Sequence, residues 1–392
     1  MSITGPAHGT TRTQVAIIGG GIMGAASAYH LARAGITDVV LLEADKLASG
    51  SSGKPLGGVR AQFSDVTNIE LGLRSLEFFR RFDHEVGVDI GLQTVGYLFA
   101  LRNEEDIARH RVCVALQNSL GVPSRIVDPA EALRLCPYLD PQTVLAGVWS
   151  PSDGFARAGD AVRGLAGAAQ ARGVQVRTGS AVTGIDAAPG GMARIHLADG
   201  ADVLTPTVVC AAGAWSRTVG EMVGVDLPVT PKRREIAFTP ALSPRPPQVP
   251  FTIDYSTTAY FHGSQDGGLL LGWADPDQPD GFEREVSRAW HDHLRAALRA
   301  FAPDLAGVPI SHGWAGLYEL TPDCNALIGQ SEEPGFRFLY ATGFSGHGFL
   351  QGPAVGECVR DLYLGRPPVV DIAPFDAHRF QRPAVRTELG II

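Results

Sequence analysis

The chain has 392 residues, 45% of them hydrophobic and 19% charged, with 41 acidic against 33 basic side chains and a formal net charge of −8. That length allows two domains, or one large domain carrying an insertion, able to bury a sizeable ligand. The balance excludes a disordered or fibrous chain, and the acidic excess without a dense Lys/Arg run excludes a nucleic-acid footprint.

Residues 1–14 are polar and broken by Gly and Pro, without the charged and apolar regions of a secretory leader. No apolar run approaches the roughly 18–20 residues of a spanning helix. Cys113, Cys136, Cys210, Cys324 and Cys358 are scattered, odd in number and never spaced C-x-x-C. Reduced thiols in a cytoplasmic protein are expected rather than a disulfide framework.

The first predicted strand, residues 14–19 (QVAIIG), is a β-branched apolar run of the kind buried on both faces. Gly19, Gly21 and Gly24 follow at the spacing G-x-G-x-x-G, and small residues at 25–34 predict a helix ended by Gly35. A second strand at 38–42 ends on Glu43, where a carboxylate can accept hydrogen bonds from a ribose. Glycine at 21 lets a diphosphate approach the backbone, and the helix N-terminus supplies free N–H groups and a positive dipole end. This order of elements predicts a dinucleotide site, and an acid at 43 argues against NADP.

Residues 47–63 predict an ordered Gly/Ser-rich loop at the cofactor, ending in Arg60 and Phe63. Helical spacing at 68–82 precedes a β-like run at 91–101, helices at 104–120 and 129–135, a helix at 158–172, a strand at 174–177 and a β-rich piece with Val182 and Ile185. Residues 203–212 predict one buried strand running into Gly213, Ala214 and Trp215. Strands at 235–239, 258–262 and 268–273 with a helix at 286–302 predict an antiparallel α+β insertion. His291 and His293, two apart on that helix, share no face, offer no metal spacing and are expected to be solvated.

A last strand at 336–342, the turn 343–348 (GFSGHG) and a helix from about 352 to 364 repeat the opening pattern. Two such turns aimed at one ligand suit FAD better than NAD. The second helix N-terminus would stabilise the anionic reduced flavin.

Together these segments resemble the flavoprotein superfamily of D-amino-acid, glycine and sarcosine oxidases. The likeness covers most of the chain and rests on VAIIGGGIMGAASAYHLARAG with Glu43, GSSGKPLGGVRAQF from Gly50, CAAGAWS from Cys210, WAGLYELTPDCNALIG from Trp314 and ATGFSGHGF from Ala341. The GGVRAQF and GLYELTPD segments look most like the branch of sarcosine oxidase and proline dehydrogenase β-subunits. The resemblance implies an α/β plus α+β fold: a Rossmann-type FAD-binding domain (1–85, 150–226 and 320–392) with an inserted mixed or antiparallel β-sheet substrate domain (86–149 and 227–319). FAD contacts are then expected from Gly19, Gly21, Ile22, Met23, Gly24, Glu43 and Ala44, from Ser51, Ser52, Gly57, Gly58 and Val59, and from Val182, Ala212, Gly213 and Trp215. Gly343, Phe344, Ser345, Gly346, His347, Gly348 and Phe349 complete the set, with His347 acting through its backbone N–H more than its ring.

The resemblance implies oxidation of the C–N bond of a secondary or tertiary amino acid or amine, such as sarcosine, dimethylglycine or proline, by hydride transfer to flavin N5. Alternatives on the same fold are a D-amino-acid or 2-hydroxy-acid dehydrogenase, or a flavoprotein assembly or interaction factor. Glycine and D-amino-acid oxidases carry a carboxylate-clamping arginine where Tyr318 stands. Monomeric sarcosine oxidases carry the tyrosine, with a flavin-linking cysteine at the position of Gly316, so noncovalent FAD is expected. Their oxygen-activating lysines align with Leu270 and Leu350, which tilts the reading from oxidase towards dehydrogenase, with O2 or a redox carrier as acceptor. Arg60 is a candidate to hold a substrate carboxylate, or else forms an ion pair between domains; Tyr318 is a candidate wall over the flavin. His262, with Tyr260 on its strand face, would meet a carboxylate or cap a hairpin, and Lys54 would reach flavin or solvent. The branch includes β-subunits of larger complexes, so a homo-oligomer or a partner subunit is compatible with it.

Overall fold

The computed structural model describes residues 9–54, 56–264, 266–381 and 387–388. Residues 1–8, in the segment expected to lack a secretory leader, and 382–386 and 389–392, at the end of the expected cofactor unit, lie outside the described residues, as do Pro55 of the Gly/Ser-rich loop and Gln265.

A six-stranded sheet runs in the order Leu327–Ser331, Arg337–Thr342, Thr207–Cys210, Val15–Ile18, Val39–Leu42 and Gln175–Arg177. All neighbours are parallel except the first pair. The middle strands are covered on both sides, which is why they read as unbroken apolar runs. Val15 and Ile17 face the helices Ile22–Arg33, Ala158–Gln170 and Gly348–Tyr363, whereas Ala16 and Ile18 pack on a four-stranded sheet behind. That smaller sheet has the order Thr10–Arg12, Asp202–Thr205, Met192–Leu197 and Val182–Ala188.

A second large sheet has eight strands, in the order His312–Leu320, Thr230–Phe238, Leu269–Trp273, Ala259–Gly263, Phe251–Asp254, Tyr97–Leu101, Ala146–Ser150 and Arg125–Val127. Its only parallel neighbours among the described strands are Phe251–Asp254 and Tyr97–Leu101. There two stretches far apart in sequence join into one surface. The amphipathic helix Arg288–Arg299 closes its outer face through Trp290, Leu294 and Leu298.

Four expectations need correcting. The single strand expected at 203–212 is two, Asp202–Thr205 and Thr207–Cys210, in different sheets. Pro206 has no N–H to donate to a ladder, and the chain steps across at that point. The last helix begins at Gly348, not about 352, and it carries Pro353 inside it, one turn beyond the start, at the cost of the backbone bond to Phe349. Of the run 91–101 only Tyr97–Leu101 is regular strand, and the short strand Phe251–Asp254, preceded by Pro246, Pro247 and Pro250, was not expected at all. Its parallel pairing makes the inserted sheet mixed rather than antiparallel.

Candidate active site

The first glycine turn is built by contact as much as by flexibility. A Cβ on Gly24 would overlap the carbonyl oxygen of Gly19, and one on Gly19, whose φ is +113°, would overlap that of Ala211. Gly21 differs: its nearest neighbour is Ser52 Oγ at 3.1 Å, and the rest of its surroundings are open towards a cavity. Glu43 accepts from the N–H of Gly20 (2.7 Å) and of Asp45 (2.9 Å), leaving lone pairs towards that cavity. The N–H of Ile22, the first free donor of the helix, points at Ser52 Oγ at 2.9 Å.

Two cavities meet here. The larger, about 450 Å³, is lined by Gly19, Gly21, Met23, Glu43, Ala44, Val182, Ala212, Gly213 and Trp215 among others. The smaller, about 140 Å³, is lined by Lys54, Gly57, Gly58, Arg60, Tyr260, Tyr318 and the second turn from Ser345 through Gly346, His347 and Gly348 to Phe349. Both include Ile22, Ser51, Ser52 and Glu319, so the two form one trench that passes over the helix N-terminus. An elongated dinucleotide fits this shape: the helix N-terminus at Ile22 would meet its diphosphate, Glu43 its adenosine, and the second turn its reactive ring. Of the expected contacts, Gly24, Val59, Gly343 and Phe344 line neither cavity; Gly24 and Gly343 shape the backbone, and Val59 and Phe344 are fully buried behind it.

The smaller cavity has a tyrosine wall. Tyr97, Tyr260 and Tyr318 line it, and burial raises the pKa of each, keeping all three hydroxyls protonated donors. Glycine at 346 is required by its φ of +100° and by Tyr318, whose ring occupies the place of a Cβ. Arg60 is buried, stacks on Phe63 at 4.2 Å and bonds the Gln62 carbonyl. Burial, then the nearby Arg60, pushes His347 down to about 3. The ring is therefore neutral, and neither nitrogen has a hydrogen-bond partner. An orphaned buried imidazole on a cavity wall is a place where a ligand's polar edge belongs.

Lys54 lies on the wall with its Nζ donating to the Ala315 carbonyl at 2.9 Å. His262 does not reach the cavity. Its ring lies against Phe155 (4.2 Å) and Phe251 (4.8 Å), and its nitrogens sit 2.8 and 3.1 Å from the carbonyls of Gly263 and Leu56. Burial holds it down to about 4, so a neutral His262 fastens the Gly/Ser-rich loop to the sheet. His293 is exposed, but His291 is half-buried with Nε2 unpartnered, contrary to the solvated position expected. No three potential metal ligands cluster among the described residues, and no helix among them is long and apolar enough to cross a membrane.

Four of the lining residues that were not anticipated bear on the chemistry. Glu319, inside the GLYELTPD segment, accepts from Thr342 Oγ1 (3.1 Å) and from the backbone of Gly343 and Phe344, and burial pushes it up to about 7. Tyr97 lay inside an expected strand without a signal of its own. Arg234 lies one residue before the strand expected at 235–239; two successive arginines in an extended chain must face opposite ways, and that was the available clue. Arg284 comes from a strap at 281–285 that reaches from the eight-stranded sheet to the glycine-turn side. The strap is pinned by Gly281 N–H to the Pro231 carbonyl (2.8 Å) and by Arg233 to Glu283 (3.2 Å). Phe282 stacks on Trp215 at 5.3 Å, and Arg284 lies over the same ring at 5.9 Å. Among the described residues lining the larger cavity, Arg284 alone is basic.

The sequence matches the family described as DAO, FAD dependent oxidoreductase, over residues 14–362. Mitochondrial dimethylglycine dehydrogenase of Mus musculus is 28% identical over 96% of this chain, although the chain spans 45% of that protein's length. The crystal structure of L-proline dehydrogenase from P. horikoshii aligns with a TM-score of 0.89 at 29% identity, covering 96% of this chain and 100% of that one. Glycine oxidase from Geobacillus kaustophilus aligns with a TM-score of 0.83 at 26% identity, covering 93% and 98%. The flavoprotein resemblance and the mixed fold class expected from the motifs are thus borne out. The match runs from the first strand of the parallel sheet into the last helix, and both glycine turns open on one trench: the chain belongs to the DAO family of FAD dependent oxidoreductases.

Proposed function

We propose that this enzyme oxidises the C–N bond of a secondary or tertiary amino acid, of the sarcosine, dimethylglycine or proline kind, as a dehydrogenase with noncovalently held FAD. FAD supplies the acceptor for the hydride. The protein's own part is to bind and orient the substrate in the smaller cavity and to favour its neutral amine, whose proton leaves to solvent.

The observation that carries this reading is the lining of that cavity: tyrosine hydroxyls with arginine side chains, and no clamping arginine at position 318. Arg60 and Tyr97 would hold a carboxylate, Tyr318 and Tyr260 would border the amine, and neutral His347 would meet the ring edge. A substrate ammonium entering beside Arg60 and Arg234 loses its proton more readily, which yields the neutral amine that hydride transfer needs. At Gly316 an added side chain would press on Lys54 Cβ at 3.3 Å, which supports noncovalent binding. Leu350 lines the cavity as an aliphatic wall, and Leu270 is buried among apolar side chains. Neither position supplies the lysine expected there of an oxidase, which favours a redox carrier as acceptor, although Lys54, Arg60 and Arg234 line the same cavity. A division into a cofactor unit (1–85, 150–226, 320–392) and a substrate unit (86–149, 227–319) is part of this proposal; the two large sheets support it, apart from Ser150 and Leu320, which end strands of the eight-stranded sheet.

Anaerobic titration of the holoenzyme tests the reading. Sarcosine, dimethylglycine, N-methyl amino acids and proline should bleach the flavin, and D-amino acids and 2-hydroxy acids should not. Mixing the reduced enzyme with O2 should give slow reoxidation. A flavin left oxidised by every amine sinks the proposal, and fast reoxidation sinks its dehydrogenase half.

A further inference from the structure

Arg233 and Arg234 are neighbours on one strand with opposite fates. Arg233 faces away from the cavity and is met by Glu235 and Glu283 at 3.2 Å each, by the Gln278 side chain at 3.1 Å and by the Glu285 carbonyl at 2.9 Å. Arg234 faces the cavity, opposite Gly316 in the strand register and on the same face as Tyr318. Because Gly316 has no side chain, the guanidinium folds over the Tyr318 ring at 5.1 Å. Its Nη1 donates to the Arg233 carbonyl at 3.1 Å; its Nε is buried with no acceptor, and no carboxylate pairs with it among the described residues.

Besides Lys54, which is turned to the Ala315 carbonyl, the cavity is lined by a second guanidinium, Arg60. Arg60 acts electrostatically on Tyr97 and Tyr318, and Arg234 on Tyr260 and Tyr318, so both guanidinium groups bear on the Tyr318 hydroxyl. Arg234 is half-buried, but its Nε–H is shut away from water without an acceptor, a cost that a ligand oxygen would remove. A planar fork with an open Nε–H is the geometry that takes a carboxylate on two bonds.

We propose that Arg234 is a second anion site in the substrate cavity, and that the preferred substrate is an N-substituted amino acid bearing a second acidic group, with one carboxylate at each arginine. The proposal rests on the amine-oxidising reading of the same cavity and narrows its substrate class.

The test uses oxidised holoenzyme and non-oxidisable carboxylates, read by the perturbation of the flavin absorption spectrum. Glutarate should bind at least about tenfold more tightly than butyrate, the worth of one additional charged hydrogen-bonded pair. In R234Q that advantage should disappear with butyrate binding nearly unchanged; R234K, which keeps the charge but not the fork, should retain part of it. Retained FAD content and circular dichroism establish that the variants are folded. Equal binding of the two acids by the native enzyme overturns the proposal, as does an equal loss of both in R234Q. With turnover, N-methylglutamate should exceed N-methylalanine in kcat/KM by a similar factor. Flavin reduction by monocarboxylic amines alone leaves the amine-oxidising reading intact and sinks this one. Dicarboxylate binding without reduction by any amine does the reverse.

Discussion

Glu319 carries the proton economy of the trench in one side chain. Its carboxyl lies against the second glycine turn, and burial lifts it from 4.5 to about 7, so the folded apoprotein holds a proton there that the unfolded chain has already released. The contribution of this group to stability is therefore full below about pH 4.5 and is lost as pH rises towards 7, at a slope of up to about 1.4 kcal/mol per pH unit. Urea unfolding of the apoprotein and of E319Q between pH 4.5 and 7 checks this. The native protein should lose stability relative to the variant across that window; parallel curves would refute it. Asp153, pushed up to about 6 by burial, has the same sign in both proteins and cancels in the difference. Such a residue was hard to read in advance. Glu43 was legible because a motif fixes its place at the end of a strand, whereas the role of Glu319 depends on a turn that returns only after residue 342. His262 shows the converse: a histidine beside a tyrosine on a strand suggested a ligand contact, but burial between two phenylalanine rings was not visible in the sequence.

At the level of elements, the two helices that begin at the glycine turns, Ile22–Arg33 and Gly348–Tyr363, pack with almost no side chain between them. Gly352 sits against Ile22, and a Cβ on Gly356 would lie 2.6 Å from the backbone of Ala26. G356A should drive the helices apart, lower stability by about 1–3 kcal/mol, as overpacking does, and reduce bound FAD because both N-termini shift. Thermal unfolding and the flavin-to-protein absorbance ratio measure the two effects; an unchanged ratio would separate the helix pair from the cofactor site. Long apolar and small-residue periodicities made these helices and the central strands legible. Short elements were not: Phe251–Asp254 is four residues wedged behind prolines, and the break at Pro206 showed itself only when two sheets had to be filled.

On the scale of the whole molecule, the strap at 281–285 links the eight-stranded sheet to the dinucleotide trench. With Arg284 the lone cation among the described residues of the larger cavity, R284Q should weaken FAD binding about tenfold, the order expected for a charged contact to a diphosphate, while leaving apoprotein thermal stability within about 0.5 kcal/mol, as surface substitutions do. Fluorescence titration of apoprotein with FAD, beside melting of both apoproteins, decides it; equal FAD affinities would show that the strap only rests on Trp215. No motif announces this contact, because it depends on how the two sheets meet.

The strand order of the parallel sheet also bears on how the molecule is made. Its central strand, Val15–Ile18, has Thr207–Cys210 as one neighbour, and that strand in turn waits for Arg337–Thr342. The eight-stranded sheet likewise joins Tyr97–Leu101 to Phe251–Asp254 and ends on His312–Leu320. A chain emerging from the ribosome therefore holds its first glycine turn for more than three hundred residues before the second turn exists to complete the trench. The trench is thus complete only once residues beyond 342 have been made, and until then the apolar edges of both sheets are the surfaces a chaperone would guard.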